Sequence, residues 1–155
     1  MVRWVTVVGL FVGLVLVGTG PLTGVDVTDA SATSFGDGDA TVSDVAVDQS
    51  GLALTPGRFG ANVTYLRVPP VTVTVDSVTD RPRLVYIVSA PELDVKRIET
   101  RVLTEPGRYR LTPNDRAMPD TRTNGLHEVT LSVRIQSFTT DRTLAYTTVT
   151  VGDTA

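Results

Sequence analysis

Residues 129–136, with the sequence VTLSVRIQ, alternate strictly between apolar and polar side chains. Val129, Leu131, Val133 and Ile135 recur at every second position, and polar residues occupy the positions between them. Successive side chains of a β-strand point to opposite faces of the sheet, so this spacing puts the four apolar groups on one face. The pattern predicts a long strand that is buried on one side and solvated on the other.

Segments on both sides of this strand also favour strands. Residues 139–142, TTDR, predict a tight connection to a last strand at 143–151, which completes a C-terminal hairpin. Residues 84–88, LVYIV, are apolar at every position and predict a central strand that is covered on both faces.

Two prolines mark a corner earlier in the chain. Pro69 and Pro70 separate short strands at 62–68 and 71–75, because proline cannot donate to a ladder inside a central strand. Another strand is predicted at 41–47, where valine alternates with polar residues.

The region between the central strand and the C-terminal hairpin gives weaker signals. Residues 93–103 predict a strand, although some of their apolar residues also fit one face of a helix. A turn at 106–107 leads to a short strand in which Tyr109 and Leu111 point the same way. Residues 112–125 are predicted to form a long polar loop.

Together these segments predict an all-β domain at residues 41–155. About seven or eight short strands with frequent turns are typical of an immunoglobulin-like β-sandwich, and a small barrel is the alternative. The chain has no cysteine, so the prediction concerns architecture and not homology to antibody domains.

The first residues have a different character. Residues 4–22 carry no charge, and nineteen residues in a helix span about 28 Å, close to the hydrocarbon thickness of a bilayer. Residues 1–24 are therefore predicted to be a transmembrane anchor or a signal segment. Pro21 disfavours cleavage after the small residues before it, which favours retention, and Arg3 predicts that the following chain lies outside the cell. Residues 25–40, rich in Asp, Ser, Thr and Gly, are predicted to be a flexible acidic stalk.

The charged residues favour a high-salt environment and argue against nucleic acid as a partner. The net charge is −3, so no overall basic character favours binding to nucleic acid. One lysine stands against thirteen arginines, and thirteen aspartates against four glutamates. With the apolar leader and the strand-rich body, this composition resembles exported, membrane-anchored β-domain proteins of haloarchaea that are uncharacterised. The resemblance is compositional and implies no functional residues.

The residues that support catalysis are scarce. Without cysteine and with one histidine, His127, the chain lacks thiolate nucleophiles and multi-histidine metal centres. His127 is the one candidate for a general base, but a lone histidine rarely acts in catalysis and no G-x-S-x-G motif is present. It is therefore interpreted as an exposed residue at a strand edge. Two carboxylate pairs could in principle serve glycoside hydrolysis: Glu92 with Asp94, and Glu99 with Glu105. No aromatic sugar platform accompanies them, so the sequence predicts no enzyme and no cofactor.

Oxygen ligands offer the remaining site candidates. Asp37, Asp39, Asp44, Asp115 and Asp120 form the densest acidic groups and are weak candidates for calcium, because their spacing matches no EF-hand loop.

Two further features concern the surface. Asn62 begins an N-x-T sequon and is a glycosylation candidate on the exported side. Arg58, Arg81 and Arg83 could form a small cationic patch, but the default interpretation is that these exposed arginines pair with nearby aspartates.

The sequence thus favours a non-catalytic cell-surface module that mediates protein interaction or envelope assembly. It would contact an envelope or membrane protein through loops such as 112–125 or through an edge strand, and would take no small-molecule substrate. The alternative is an extracellular module that binds calcium or an acidic polysaccharide.

Overall fold

A computed structural model describes residues 36–58 and 62–152 of the chain. Within these ranges the fold is all-β, with antiparallel sheets and no helix longer than a single 3-10 turn. The predicted leader at 1–24 and most of the predicted stalk lie outside the described residues. None of the helices in the described part is long and apolar enough to cross a membrane.

The described residues form ten strands, whose order along the chain defines their labels. They are β1 (Gly38–Val47), β2 (Ala53–Pro56), β3 (Val63–Arg67), β4 (Val71–Asp80), β5 (Arg83–Ala90), β6 (Val95–Val102), β7 (Gly107–Leu111), β8 (Arg116–Pro119), β9 (Leu126–Gln136) and β10 (Asp141–Gly152). Single 3-10 turns occupy Gln49–Gly51, Pro91–Leu93 and Asp120–Arg122.

Three sheets form from these strands. A four-stranded sheet has the order β10-β9-β5-β6, and two three-stranded sheets have the orders β1-β4-β7 and β2-β3-β8. The two smaller sheets repeat one order, because β1 continues as β2, β3 continues as β4, and β7 continues as β8. They are therefore successive halves of one three-stranded layer, which we call the split layer.

The split layer is interrupted at the same level in all three of its strands. The 3-10 turn Gln49–Gly51 separates β1 from β2, with Asp48 accepting a hydrogen bond from the Ser50 amide at 3.1 Å. Pro69 and Pro70 separate β3 from β4, and Pro113 lies between β7 and β8. Proline donates no backbone hydrogen bond, so a ladder cannot continue unbroken through these positions.

The strongest strand predictions are confirmed. In β9 the inward residues Val129, Leu131, Val133 and Ile135 are buried, and the alternate positions are partly exposed. β5 lies between β9 and β6, as expected of a strand that is apolar on both faces. β9 and β10 form the predicted hairpin, and β6 is a strand and not a helix.

The predicted loop at 112–125 is wrong. Residues Arg116–Pro119 form β8, which pairs with β3, and a 3-10 turn follows. A second strand without a prediction is β2, which pairs with the other edge of β3. Both strands have four residues. Met118 is the buried residue of β8 and Leu54 that of β2, and one apolar residue establishes no period.

One hydrophobic core joins all three sheets. The split layer supplies buried side chains from both of its halves, and the four-stranded sheet supplies the facing rows of β5 and β9. Its fully buried large side chains include Leu54, Leu66, Val71, Val73, Leu84, Tyr86, Val88, Val129, Leu131 and Ile135. The Tyr86 hydroxyl donates a hydrogen bond to the Pro69 carbonyl at 3.0 Å, and so ties the four-stranded sheet to the interruption in the split layer.

The two ends of the domain carry different connections. At the first end, called proximal, the Gly36 amide donates to the Arg81 carbonyl at 2.9 Å and the Phe138 amide donates to the Gly36 carbonyl at 3.4 Å. The turns at 91–94 and 120–125 lie at the opposite end, called distal. Residues that precede Gly36 therefore join the domain at its proximal end.

Candidate functional site

One side of the domain, where the edge strands β1 and β10 meet, is bridged by side chains. The Arg142 guanidinium donates to the Ala40 carbonyl at 2.6 Å and to the Asp39 carboxylate at 3.1 Å. The Thr139 hydroxyl donates to Asp37, and Gln49 donates to Thr147 at 3.4 Å. We call this the closed side, because polar groups of one layer satisfy those of the other.

The other side is formed by β6, at the edge of the four-stranded sheet, and by β7 and β8, at the edge of the split layer. We call it the open side. Residues 95–119 carry six of the chain's fourteen lysines and arginines but three of its seventeen acids. These cations are Lys96, Arg97, Arg101, Arg108, Arg110 and Arg116.

The cations of the open side lack ion-pair partners. Among the described residues, none of the six has a carboxylate within 4.0 Å. Asp115 is the nearest acid in sequence to Arg116, but its carboxylate accepts from Arg67 at 2.5 Å and from the Val68 amide at 3.2 Å. The open side is thus a positively charged region on a chain whose net charge is negative.

A groove of about 180 Å³ lies between β6 and β8. Asp94, Val95, Lys96, Arg97 and Arg116 line it, so three of its five residues are cationic. Arg97 pairs with buried Val88 of β5, which places its side chain on the inward face of the sheet. The Nε of Arg97 is buried and has no hydrogen-bond partner among the described residues.

The one acid of the groove is weakly engaged. Asp94 follows the 3-10 turn Pro91–Leu93 in a left-handed conformation, with φ of 54°. Its side chain is 91% exposed and lies 3.8 Å from the Arg122 guanidinium. An exposed pair at this distance contributes little, so Asp94 does not neutralise the groove.

The interpretation of His127 as an exposed residue is wrong. His127 is 8% exposed, because it extends the inward row of β9 by one position beyond Val129. Its Nδ1 lies 3.3 Å from a Glu92 carboxylate oxygen, and its Nε2 is buried without a partner among the described residues. Asp120, which is close in sequence, accepts from the Thr64 hydroxyl at 2.6 Å instead. His127 therefore closes the distal end of the core.

The carboxylate pairs are separated. Glu92 contacts His127, and Asp94 contacts Arg122. Glu99 lies on β6, whereas Glu105 lies in the connection to β7, where its carbonyl accepts from the Tyr109 hydroxyl at 2.6 Å.

The aspartates considered for calcium have separate positions. Asp37 immediately precedes β1, and Asp39 and Asp44 lie on it, whereas Asp115 and Asp120 lie before and after β8. Hydrogen bonds from Thr139 and from the Gly38 amide lower the pKa of Asp37. Within the ranges 36–58 and 62–152, no three acidic or histidine residues form a group that could hold a metal ion.

The remaining surface candidates are also placed. Asn62 is exposed at the distal end, immediately before β3. The alternative of a patch of Arg58, Arg81 and Arg83 is wrong, because Arg58 lies at the distal end and the other two lie at the proximal end.

The groove was not predicted from the sequence. Arg97 and Arg116 are far apart along the chain, and the strand order alone brings the edges of β6 and β8 together. The available signal was the density of lysine and arginine in residues 95–119. Comparison with protein-family models, with curated proteins and with solved structures finds no match to this chain.

Proposed function

We propose that this chain is an exported, membrane-tethered β-sandwich module without catalytic activity, which binds an envelope protein through its open side. The observation that carries the proposal is the difference between the two sides. Both sides end in edge strands. Side-chain hydrogen bonds join the two layers on the closed side, whereas no such bond joins β6 to β7 or β8 among the described residues, and the six cations of the open side have no carboxylate within 4.0 Å there.

The strand order supports an immunoglobulin-like sandwich. If each interrupted strand of the split layer counts once, seven strands remain, with the first, second and fifth in one layer. The seventh, sixth, third and fourth form the other layer, and one core lies between them. Immunoglobulin-like domains distribute seven strands over two layers in a related way, although constant-type domains place the fourth strand in the other sheet.

The edge strand β6 has the features of a protein-binding edge. It has a neighbour on one side only, and its Ile98 side chain is 54% exposed. An extended segment of a partner could add to such an edge by backbone hydrogen bonds, with side-chain contacts giving specificity. Attachment of the preceding chain at the proximal end leaves the length of β6 accessible on a tethered domain.

Site-specific photo-crosslinking in the native host tests this proposal. A photoreactive amino acid replaces Ile98 in the full chain, and a matched variant carries it at Tyr146. The two residues are 54% and 67% exposed and lie at opposite ends of one cross-strand row on the outer face of the four-stranded sheet. We expect a discrete adduct with an envelope protein from position 98 and none from position 146.

Two results would contradict the proposal. Equal adducts from both positions would indicate non-specific contact, and the absence of an adduct from position 98 would remove the open side as the binding surface. Fractionation of the same cells, with protease treatment of intact cells, tests the tether and its sidedness. Recovery of the protein in the soluble cytosolic fraction would contradict both the membrane tether and the position outside the cell.

A further inference from the structure

We infer that the open side binds an extended acidic segment of the partner, which adds to the edge of β6 and places a carboxylate in the groove between β6 and β8. This inference rests on the proposed function and specifies the chemistry of the same surface. Its first support is electrostatic, because the groove is lined by Lys96, Arg97 and Arg116 and by one largely solvated acid.

The second support is the unpartnered nitrogen of Arg97. Arg97 is half-buried and its Nε has no hydrogen bond among the described residues, so its charge is less well compensated than that of a fully solvated arginine. The guanidinium is a planar fork that matches the two oxygens of a carboxylate. Arg116 lines the same groove from β8, so both strands present an arginine to an acidic segment that enters it.

The size of the groove agrees with this occupant. The groove, of about 180 Å³, has room for an aspartate or glutamate side chain. Both flanking strands are sheet edges, which supply backbone groups for an extended peptide. None of the described residues that line the groove is aromatic, so these residues offer no stacking platform for a sugar.

The register of β6 predicts a pattern for the partner. Arg97, Glu99 and Arg101 occupy alternate positions and pair with Val88, Tyr86 and Leu84 of β5, so all three face inward. Directly opposed side chains of neighbouring strands interact, and opposite charges are favourable there. An added strand should therefore carry acids opposite the two arginines and a lysine or a neutral residue opposite Glu99.

Two peptides of identical composition test this pattern. The matched peptide has the sequence TEVKVET, in which glutamates flank a lysine at alternate positions in either strand direction. The shuffled peptide, TEVEVKT, has the same charge but opposes a glutamate to Glu99 in both directions. Binding of each fluorescein-labelled peptide to the full chain in detergent micelles is measured by fluorescence anisotropy.

We expect the matched peptide to bind at least tenfold more tightly than the shuffled one, because two cross-strand pairs change sign. Arg97→Gln and Arg116→Gln should each weaken the matched peptide by tenfold or more. Arg58→Gln removes a positive charge at the distal end and is the control, with an expected change below twofold. Arg116 is exposed, so its replacement keeps the test independent of any loss of folding in the Arg97 variant.

Four results would overturn the inference. Equal binding of the two peptides would show charge attraction without register, and equal losses in all three variants would place the effect outside the groove. Tighter binding of dextran sulfate, abolished by Arg97→Gln, would assign the groove to a polysaccharide. If the crosslink at position 98 forms but neither peptide binds, the interaction module stands and the acidic strand is wrong.

Discussion

The closed and open sides of the domain are built from the same kinds of residue but use them differently. On the closed side, Arg142 reaches from β10 to the carbonyl of Ala40 and the carboxylate of Asp39 on β1. On the open side, Arg97 lines a groove with its Nε buried and unpartnered among the described residues. The difference indicates that charge on the closed side stabilises the fold, whereas charge on the open side is available for binding.

A second explanation exists for charges on an edge strand. Inward-facing charged residues such as Arg97, Glu99 and Arg101 also protect a sheet edge from pairing with another molecule. Protection requires charge of either sign, whereas carboxylate binding requires positive charge. The variant Arg97→Glu therefore separates the two explanations, because it should keep the protein monomeric while abolishing binding of the matched peptide.

The largest effect expected in stability concerns how firmly the core is packed beside β8, the edge strand of the open side. Leu66 on β3 is fully buried and pairs with Arg116 of β8. Leu66→Ala should lower the free energy of unfolding by about 2–5 kcal/mol, because it leaves a cavity in a close-packed core. Chemical denaturation measures the change, and Leu126→Ala, at a side chain that is 76% exposed, is the control. A loss below about 1 kcal/mol would indicate that this edge is loosely attached.

A smaller effect is expected at Tyr86, which ties the four-stranded sheet to the interruption between the two halves of the split layer. Tyr86→Phe leaves the Pro69 carbonyl without this donor and should cost about 1–2 kcal/mol. Burial also raises the pKa of Tyr86 above its ordinary value of 10.0. The contribution of the neutral phenol to the free energy of unfolding is therefore fully present below pH 10.0, the ordinary pKa, and is lost as the pH rises above it.

Thermal unfolding between neutral pH and pH 11 measures both parts of this prediction. The Phe variant should be less stable at neutral pH and should lose less stability on going to alkaline pH than the unmodified protein. Tyr146→Phe, at a side chain that is 67% exposed, should change neither quantity. An alkaline loss of the same size in both proteins would remove Tyr86 as its source.

The side-chain bonds of the closed side should contribute modestly to the free energy of unfolding. Arg142→Ala removes the bonds to Ala40 and Asp39 and should cost about 0.5–1 kcal/mol, because the Arg142 side chain is 46% exposed and solvent screens the pair. Chemical denaturation at low and at high salt measures the difference in stability between this variant and the unmodified protein. The difference should be smaller at high salt, because salt screens the ion pair. No difference at either salt concentration would mean that these bonds do not hold β1 to β10.

The sequence predicted the strands whose buried residues follow a clear pattern of apolar side chains. β9 has four consecutive inward apolar residues, and β5 is apolar on both faces, so each was recognisable alone. His127 could also have been placed correctly, because it continues the inward row from Val129 by one further alternation. The interpretation was wrong because a polar residue such as His127 was assumed to lie at an exposed position.

The elements that the sequence did not predict depend on contacts between distant segments. β8 has Met118 as its one buried side chain, and its identity as a strand follows from pairing with β3. The groove has the same origin, because Arg97 and Arg116 come together only through the order of the strands. Periodicity describes one segment at a time and carries no information on which edges become neighbours.

The smallest effect should also have the opposite sign. Arg97→Leu removes an arginine whose Nε is buried without a partner among the described residues and replaces it with an apolar side chain beside Val88. Arg97 is half-buried and has no carboxylate within 4.0 Å among the described residues, so an apolar replacement should leave the free energy of unfolding unchanged or raise it by up to about 1 kcal/mol. The same variant should lose binding of the matched peptide. Denaturation and anisotropy on one preparation measure both, with Arg142→Ala as the contrasting variant. A loss of stability as large as that of Arg142→Ala would mean that Arg97 supports the fold, and the difference between the two sides would then disappear.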